Sequence, residues 1–102
     1  MGVTTNTYYM FAVRNITPQN LRDNLAFNVR HYRALKIPPP DKPLSQERCA
    51  WEAGIDRTMM SKIERAKTNP SLETLLKLAN YLNVYVADLL QEPRKPASGS
   101  KA

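Results

Sequence analysis

Apolar residues recur every three or four positions along most of the chain from Pro18 onward, the spacing that places them on one face of an α-helix. The first such stretch begins at Thr17-Pro18, because threonine is a suitable N-cap and proline fits the first helical position. We predict that this helix runs to about Leu35. Four residues are expected to form its buried stripe: Leu21, Leu25, Val29 and Tyr32.

The stretch from Ser45 to Glu64 predicts two short helices joined by a tight turn. Ser45 is a good N-cap for the first of them and Asp56 for the second. Gly54 lies between the helices, where glycine adopts at low cost the left-handed conformation that ends a helix. Small or apolar side chains are expected to face the core from both helices and the turn: Cys49, Ala50, Ala53, Ile55, Met60 and Ile63. Two helices joined in this way form a helix-turn-helix.

Two further helices are predicted after this unit. Ser71 is the expected cap of a helix that ends at Asn83, and a short last helix covers Val84 to Gln91. The longer helix has a broad expected stripe of Leu72, Leu75, Leu76, Leu78, Ala79 and Leu82. The pattern therefore predicts one all-α domain of five helices over residues 17–92.

Three segments stand outside the helical pattern. Residues 1–16 form an N-terminal arm, for which fraying, packing on the domain or a partner subunit, and contact with DNA are all open. We favour packing or dimerisation, because the apolar cluster at residues 8–11 would be costly to expose. Residues 93–102 are predicted to be a flexible basic tail. A proline-rich insertion from Pro38 to Pro43 is expected to be a rigid spacer rather than a ligand for a proline-recognition domain, followed by a buried Leu44.

The chain has 102 residues and a formal net charge of +6, which suits an anionic partner without naming one. A nucleic acid, an acidic protein and an anionic membrane all fit that charge alone. Basic and acidic residues nearly balance between residues 45 and 92, so the positive charge is local to Lys62, Arg65 and Lys67. A single cysteine excludes an intrachain disulfide and is typical of a reducing cytoplasm. No apolar run has membrane-spanning length, and no signal peptide is evident.

The sequence has no pattern typical of an enzyme or a metal site. It has no carboxylate pair in an apolar setting, no phosphate-binding glycine loop and no nucleophile spaced from a base as in known motifs. His31 is the only histidine and is expected to be solvated rather than catalytic. Cys49 is expected to be an inert buried thiol. We therefore expect no catalytic residue, no metal and no cofactor.

The order S-Q-E-x-x-A-x-x-x-G-I-x-x-x-x-x-S-x-I-E in residues 45–64 resembles the xenobiotic-response-element family of regulators, which includes the phage lambda repressor and Cro type. The resemblance extends over roughly residues 21–91. There are three departures from the family pattern. Ala66 stands where the family usually has glycine, and Cys49 where it usually has leucine. The connection between the first two helices is long and proline-rich, whereas the family's is short.

The resemblance implies a lambda-repressor-like DNA-binding domain and a role for individual positions. The base-contacting positions it implies are Arg57, Thr58, Ser61 and Lys62. The phosphate-contacting positions are Gln46, Arg65, Lys67, Thr68 and Asn69. It also implies a structural ion pair between Arg33 and Glu64, and dimer contacts through Tyr81, Tyr85 and Val86. Arg57 is the strongest candidate for base readout, because arginine suits the O6 and N7 acceptors of guanine.

Three positions keep two interpretations each. Arg30 could bind within the domain or face a phosphate. Met59 could touch a thymine methyl or join the core. The ring of Trp51 could be covered by the proline loop or the arm, or could be partly exposed near the DNA backbone.

These expectations describe a sequence-specific regulator of transcription that binds double-stranded DNA in a prokaryotic cytoplasm. We expect a homodimer on a near-palindromic operator, because two recognition helices would then lie in successive major grooves about 34 Å apart. Restriction–modification control, phage or plasmid repression and antitoxin function all fit the size, with a regulatory protein as a possible further partner. The alternative is a protein-interaction adaptor or antitoxin that uses the same helices with little or no base readout.

Overall fold

The computed structural model describes residues 15–37 and 42–93, and within these ranges it contains five helices and no strand. The helices are α1 (Pro18–Leu35), α2 (Gln46–Ala53), α3 (Arg57–Glu64), α4 (Leu72–Leu82) and α5 (Val86–Leu90). The predicted all-α class is confirmed. The last helix is shorter than predicted, because Tyr85 is still extended, with φ −80° and ψ 154°, and serves as its N-cap. The N-terminal arm, the middle of the proline-rich insertion and the basic tail lie outside the described residues.

The helix ends follow from side chains that satisfy free backbone groups. Four predicted caps accept a hydrogen bond from the backbone N–H three residues later: Thr17, Ser45, Asp56 and Ser71. Gly54 ends α2 at φ 79°, and Asn83 ends α4 at φ 62°, both in the left-handed region. These caps fix where each helix begins and ends, and so set the direction of α3.

The core lies where the five helices meet. Helix α1 packs against α3 and α5, α2 packs against α3 and α4, and α4 packs against α5. The buried apolar cluster comprises Leu25, Val29, Leu44, Cys49, Ala50, Met60, Ile63, Leu75, Leu78, Ala79, Leu82 and Leu89. Leu44 is fully buried although it belongs to the loop before α2, as predicted. Met59 and Ile55 pack partly buried against this cluster, which favours the core interpretation of Met59.

The predicted stripes of α1 and α4 are wrong at three leucines. Leu21, Leu72 and Leu76 are exposed, and Leu72 is the most exposed of them at 79%. The buried residues of α4 are confined to the face that meets α2 and α5, and Leu72 and Leu76 lie just beside it. The apolar spacing in the sequence therefore predicted a wider buried face on α4 than the other helices of the chain cover.

Trp51 lies on the outer side of α2 with its side chain 84% exposed. The residues that the structure describes do not bury its ring, and the segments expected to cover it fall outside those ranges. None of the helices in residues 15–37 and 42–93 is long and apolar enough to cross a membrane.

Candidate nucleic-acid interface

Helix α3 has a core face and a polar face. Met60, Ile63 and Glu64 are buried. The four residues proposed to contact bases lie on the other side, where Arg57, Thr58 and Lys62 are exposed and Ser61 is half-buried. The spacing of one, three and four residues between them places all four on one side of a helix. The structure thus brings these four side chains together on a surface that the described residues leave open.

Arg57 is only loosely held by its own chain. Its Nη1 atom lies 3.9 Å from Oε2 of Glu47, and both side chains are 73% exposed. An ion pair this long and this exposed contributes little, because water and salt screen both charges. The guanidinium group is therefore accessible to another partner.

Glu64, at the C-terminal end of α3, is buried and is the centre of a partly buried hydrogen-bond network. Arg33 binds both carboxylate oxygens, with Nε 2.7 Å from Oε2 and Nη2 2.9 Å from Oε1. Arg33 also donates to the carbonyl of Leu44, and Gln46 donates to Oε1 of Glu64 at 2.9 Å. Arg30 donates to the backbone carbonyl of Glu64 at 2.6 Å, so its contact is internal. The network ties the end of α3 to α1 and to the start of α2, and so fixes the orientation of the polar face.

Gln46 is half-buried, and one of its amide hydrogens is engaged by Glu64. Its expected contact with a DNA phosphate stays a prediction. The partnership between Gln46 and Glu64 could not be read from the sequence, because nothing local relates residues 18 positions apart.

The loop after α3 carries the other expected phosphate contacts. Arg65, Lys67 and Asn69 are exposed and Thr68 is half-buried. Ala66 adopts the left-handed conformation, with φ 58°, at the position where the resemblance predicts glycine. The loop therefore makes the same kind of turn as a glycine would, at the cost of strain.

Two residues of α1 hold this loop, and sequence reasoning missed both. Gln19 donates to the carbonyl of Ala66 at 3.3 Å, and Arg22 donates to Oδ1 of Asn69 at 2.5 Å. Each pair is separated by 47 residues, so the only signal was the presence of polar side chains in the first two turns of α1. The contacts place the loop beside α1, with Lys67 facing solvent.

The residues expected at a dimer contact differ in exposure. The Tyr81 hydroxyl donates to the Glu52 carboxylate, and Lys36 Nζ lies 4.7 Å from the Tyr81 ring centroid. Partial burial, together with the bond to Glu52, raises the pKa of Tyr81 to about 12, and the same bond lowers the pKa of Glu52. Tyr81 thus contacts α1 and α2 of its own chain, whereas Tyr85 is 81% exposed. Val86 is half-buried.

Among the described residues, Cys49 and His31 are the two whose chemistry bears most on reactivity. Cys49 is fully buried, and desolvation raises the pKa of its thiol to about 11, so the unreactive protonated form prevails at neutral pH. His31 is exposed and stacks on Phe27 with 6.2 Å between ring centroids. Within residues 15–37 and 42–93, no group of three or more potential ligands could hold a metal ion.

Comparison with known proteins identifies the family of this chain. A family model described as helix-turn-helix matches residues 44–89. A protein of Neisseria meningitidis named as a hypothetical transcription factor is 38% identical over 77 residues, covering 76% of this chain and 67% of that protein. The chain belongs to the helix-turn-helix family of DNA-binding transcriptional regulators. Another relative in the family, control protein C.SmaI of Serratia marcescens, is 39% identical over 71 residues, covering 70% of this chain and 77% of that protein.

Solved structures agree with this membership. The crystal structure of the Neisseria hypothetical transcription factor has a TM-score of 0.64 and 36% identity, covering 79% of this chain and 86% of that chain. The restriction–modification controller protein C.AhdI of Aeromonas hydrophila has a TM-score of 0.58 and 32% identity, covering 67% of this chain and 94% of that chain. The resemblance inferred from residues 45–64 and the lambda-repressor-like fold are thereby confirmed.

Proposed function

We propose that this regulator binds a near-palindromic DNA site as a homodimer, with α3 of each subunit in a major groove. The observation that carries the proposal is the exposed polar face of α3, held in a fixed orientation by the partly buried network around Glu64. A rigid helix that presents arginine, threonine, serine and lysine on one side offers donors and a methyl group to base edges. A cytoplasmic location in a prokaryote is proposed with this partner, because the relatives described above are bacterial proteins.

Arg57 is the proposed specificity residue, because its guanidinium group has only a weak internal partner. Thr58, Ser61 and Lys62 complete the base-facing set. Arg65, Lys67, Thr68 and Asn69 are proposed to bind phosphates along the loop after α3, with Gln46 at the start of α2. Phosphate contacts position the helix, and base contacts specify the sequence.

The dimer surface is proposed to run along the uncovered side of α4. Leu72 and Leu76 are one turn apart and exposed, and Asn80 continues the row. Asn80 and Tyr85 line one surface cavity of about 440 Å³, which joins the row to the start of α5. Two exposed leucines and an exposed tyrosine form the kind of apolar patch that a second subunit would cover. We therefore propose that Tyr85 and the two leucines form the dimer contact together with Val86. The expected contact through Tyr81 stays a prediction.

Sedimentation equilibrium tests the dimer surface. We expect Leu76→Glu to shift the protein toward monomer, because a charge would have to be buried at the contact. Leu35→Glu is the matched control, since Leu35 is also exposed but lies at the end of α1. Equal effects of the two substitutions, or none from Leu76→Glu, would place the subunit contact elsewhere.

Selection from a random pool of double-stranded DNA tests the function as a whole. We expect the full chain to enrich one motif made of two inverted half-sites. Enrichment of no motif would favour the adaptor role instead. Among the regulatory roles considered above, restriction–modification control gains support from the restriction–modification controller protein C.AhdI, to which this chain is structurally similar, and from the related control protein C.SmaI.

A further inference from the structure

A small apolar groove opens where the N-terminal end of α1 meets the loop before α4 and the end of α5. Its apolar lining comprises Pro18, Leu21, Leu25, Pro70, Leu75 and Leu90, and its volume is about 190 Å³. Apolar cavities of about 150 Å³ take up a benzene ring, so this groove has room for one aromatic side chain. The base-contacting and dimer residues proposed above do not line it.

The polar side chains at the rim of the groove are already paired. Arg22 and Asn69 both line it, and Arg22 donates its hydrogen bond to Asn69. A site for a polar ligand needs convergent polar groups that orient the ligand. Here the two polar groups orient each other, and the remaining lining is hydrocarbon. The groove therefore suits an apolar occupant.

We infer that the occupant is the N-terminal arm of the same chain, with the Phe11 ring seated in the groove. The chain outside the described ranges ends at residue 14, four residues before Pro18, which lines the groove. An extended chain spans about 3.4 Å per residue, so Phe11, seven residues before Pro18, can lie up to roughly 24 Å from it. Leu25, the furthest lining residue along α1, is about 10 Å from Pro18 at 1.5 Å per residue. The arm is long enough to reach every part of the groove.

The composition of the arm matches the groove. Phe11 has no hydroxyl group, so it can be buried where no free hydrogen-bond partner remains. Tyr9 would lie on the same side of an extended segment, with its polar tip toward solvent. Leu21, in the lining of the groove, is an exposed apolar residue. Docking of Phe11 covers Leu21.

Methyl NMR of the full chain tests the inference, because an aromatic ring shifts the resonances of methyl groups that it contacts. We expect Phe11→Ala to move the methyl resonances of Leu21, Leu25, Leu75 and Leu90, and to leave those of Leu35 unchanged. Val3→Ala is the control, since it removes an apolar side chain from the far end of the same arm. Unchanged groove resonances in Phe11→Ala would overturn the inference.

A mixture of labelled and unlabelled chains separates the two possible sources of the arm. Contacts between Phe11 and the groove that appear only within one chain support the inference. Contacts between a labelled groove and an unlabelled arm would overturn it in favour of exchange between subunits.

Limited proteolysis gives a second readout through substitutions in the groove. Chymotrypsin cleaves after the aromatic residues of the arm, and a docked arm is protected. We expect Leu21→Glu to speed cleavage after Phe11 severalfold, and Leu35→Glu, at the other end of the same helix, to leave it unchanged. Equal rates in both variants would overturn the inference. Neither readout depends on DNA, so failure here would leave the proposed DNA binding intact.

Discussion

Helix α3 takes part in two glutamate–arginine pairs, one largely buried on its inner side and one exposed on its outer side. On the inner side, Glu64 has its side chain 4% exposed and Arg33 binds both of its oxygens. On the outer side, Glu47 meets Arg57 at 3.9 Å with both side chains 73% exposed. Both are glutamate–arginine pairs that join two helices, and only their burial and geometry differ.

The difference shows how one short helix can be both fixed and available. A largely buried pair meets little competing water, so its geometry persists and holds the helix in place. An exposed pair is screened and can exchange partners at low cost. The inner pair therefore suits positioning, and the outer arginine suits binding to a ligand that arrives from solution.

The sharpest test of this contrast is to remove each glutamate in turn. We expect Glu64→Ala to lower the free energy of unfolding by about 3 kcal/mol, because Arg33 and Gln46 lose the carboxylate that they bind in a largely buried site. This is the low end of the usual range, since Arg33 is 21% exposed and water can reach it. Glu47→Ala is the matched control, with an expected loss below about 1 kcal/mol. Urea unfolding followed by circular dichroism measures both, and similar losses would mean that the two pairs are equivalent.

Substitution of the exposed arginine should affect DNA binding more than stability. We expect Arg57→Ala to weaken binding to the selected site by about 1–3 kcal/mol and to relax the preference at one base position. Its effect on stability should stay within about 0.5 kcal/mol, as for other exposed positions. Fluorescence anisotropy with the selected duplex measures the affinity, with Lys77→Ala on α4 as the control. An unchanged motif in Arg57→Ala would remove this arginine from base readout.

Substitution of Ala66, at the boundary between α3 and the loop that follows, tests whether the backbone is strained beside the outer face of α3. With φ at 58°, we expect Ala66→Gly to raise the free energy of unfolding by about 0.5–1 kcal/mol. Ala34→Gly, at an exposed position in the last turn of α1, should instead lower it by about 0.5 kcal/mol. Thermal unfolding of both variants decides the sign. A loss in both would show that the turn carries no strain that glycine relieves.

The smallest expected effect concerns Lys67. Lys67→Ala should weaken all DNA sequences alike and reduce the slope of log affinity against log salt by about 0.9, the value for one lost phosphate contact. Titrations at several salt concentrations, with random and selected duplexes, measure the slope. A change confined to the selected duplex would make Lys67 a base-reading residue.

Local signals explain what could be predicted from the sequence. Caps and left-handed turns depend on one residue and its near neighbours, so Ser45, Gly54, Asp56 and Asn83 could be assigned their places. The polar face of α3 follows from helical spacing alone. Long-range pairs could not be derived in this way, and the resemblance supplied only Arg33 with Glu64.

The predictions that were wrong or missing concern features that depend on contacts between distant parts of the chain. Whether a leucine beside the core is buried depends on which helices cover it, so the exposure of Leu72 and Leu76 was beyond a periodicity argument. The contacts of Gln19 and Arg22 with the loop after α3 join residues far apart in the chain. Such partners are known only once the packing of α1 on α3 is known.

The hydrogen bond at the base of the proline-rich insertion has a practical consequence. The N–H of Leu44 donates to the carbonyl of Lys36 at 3.1 Å, and Arg33 donates to the carbonyl of Leu44. The two ends of the connection are thus anchored to the domain independently of what lies between them. Lengthening an anchored connection costs little, because closure entropy grows only slowly with loop length. This junction is therefore a natural place to splice in a fluorescent reporter or an affinity tag while the rest of the molecule keeps its geometry.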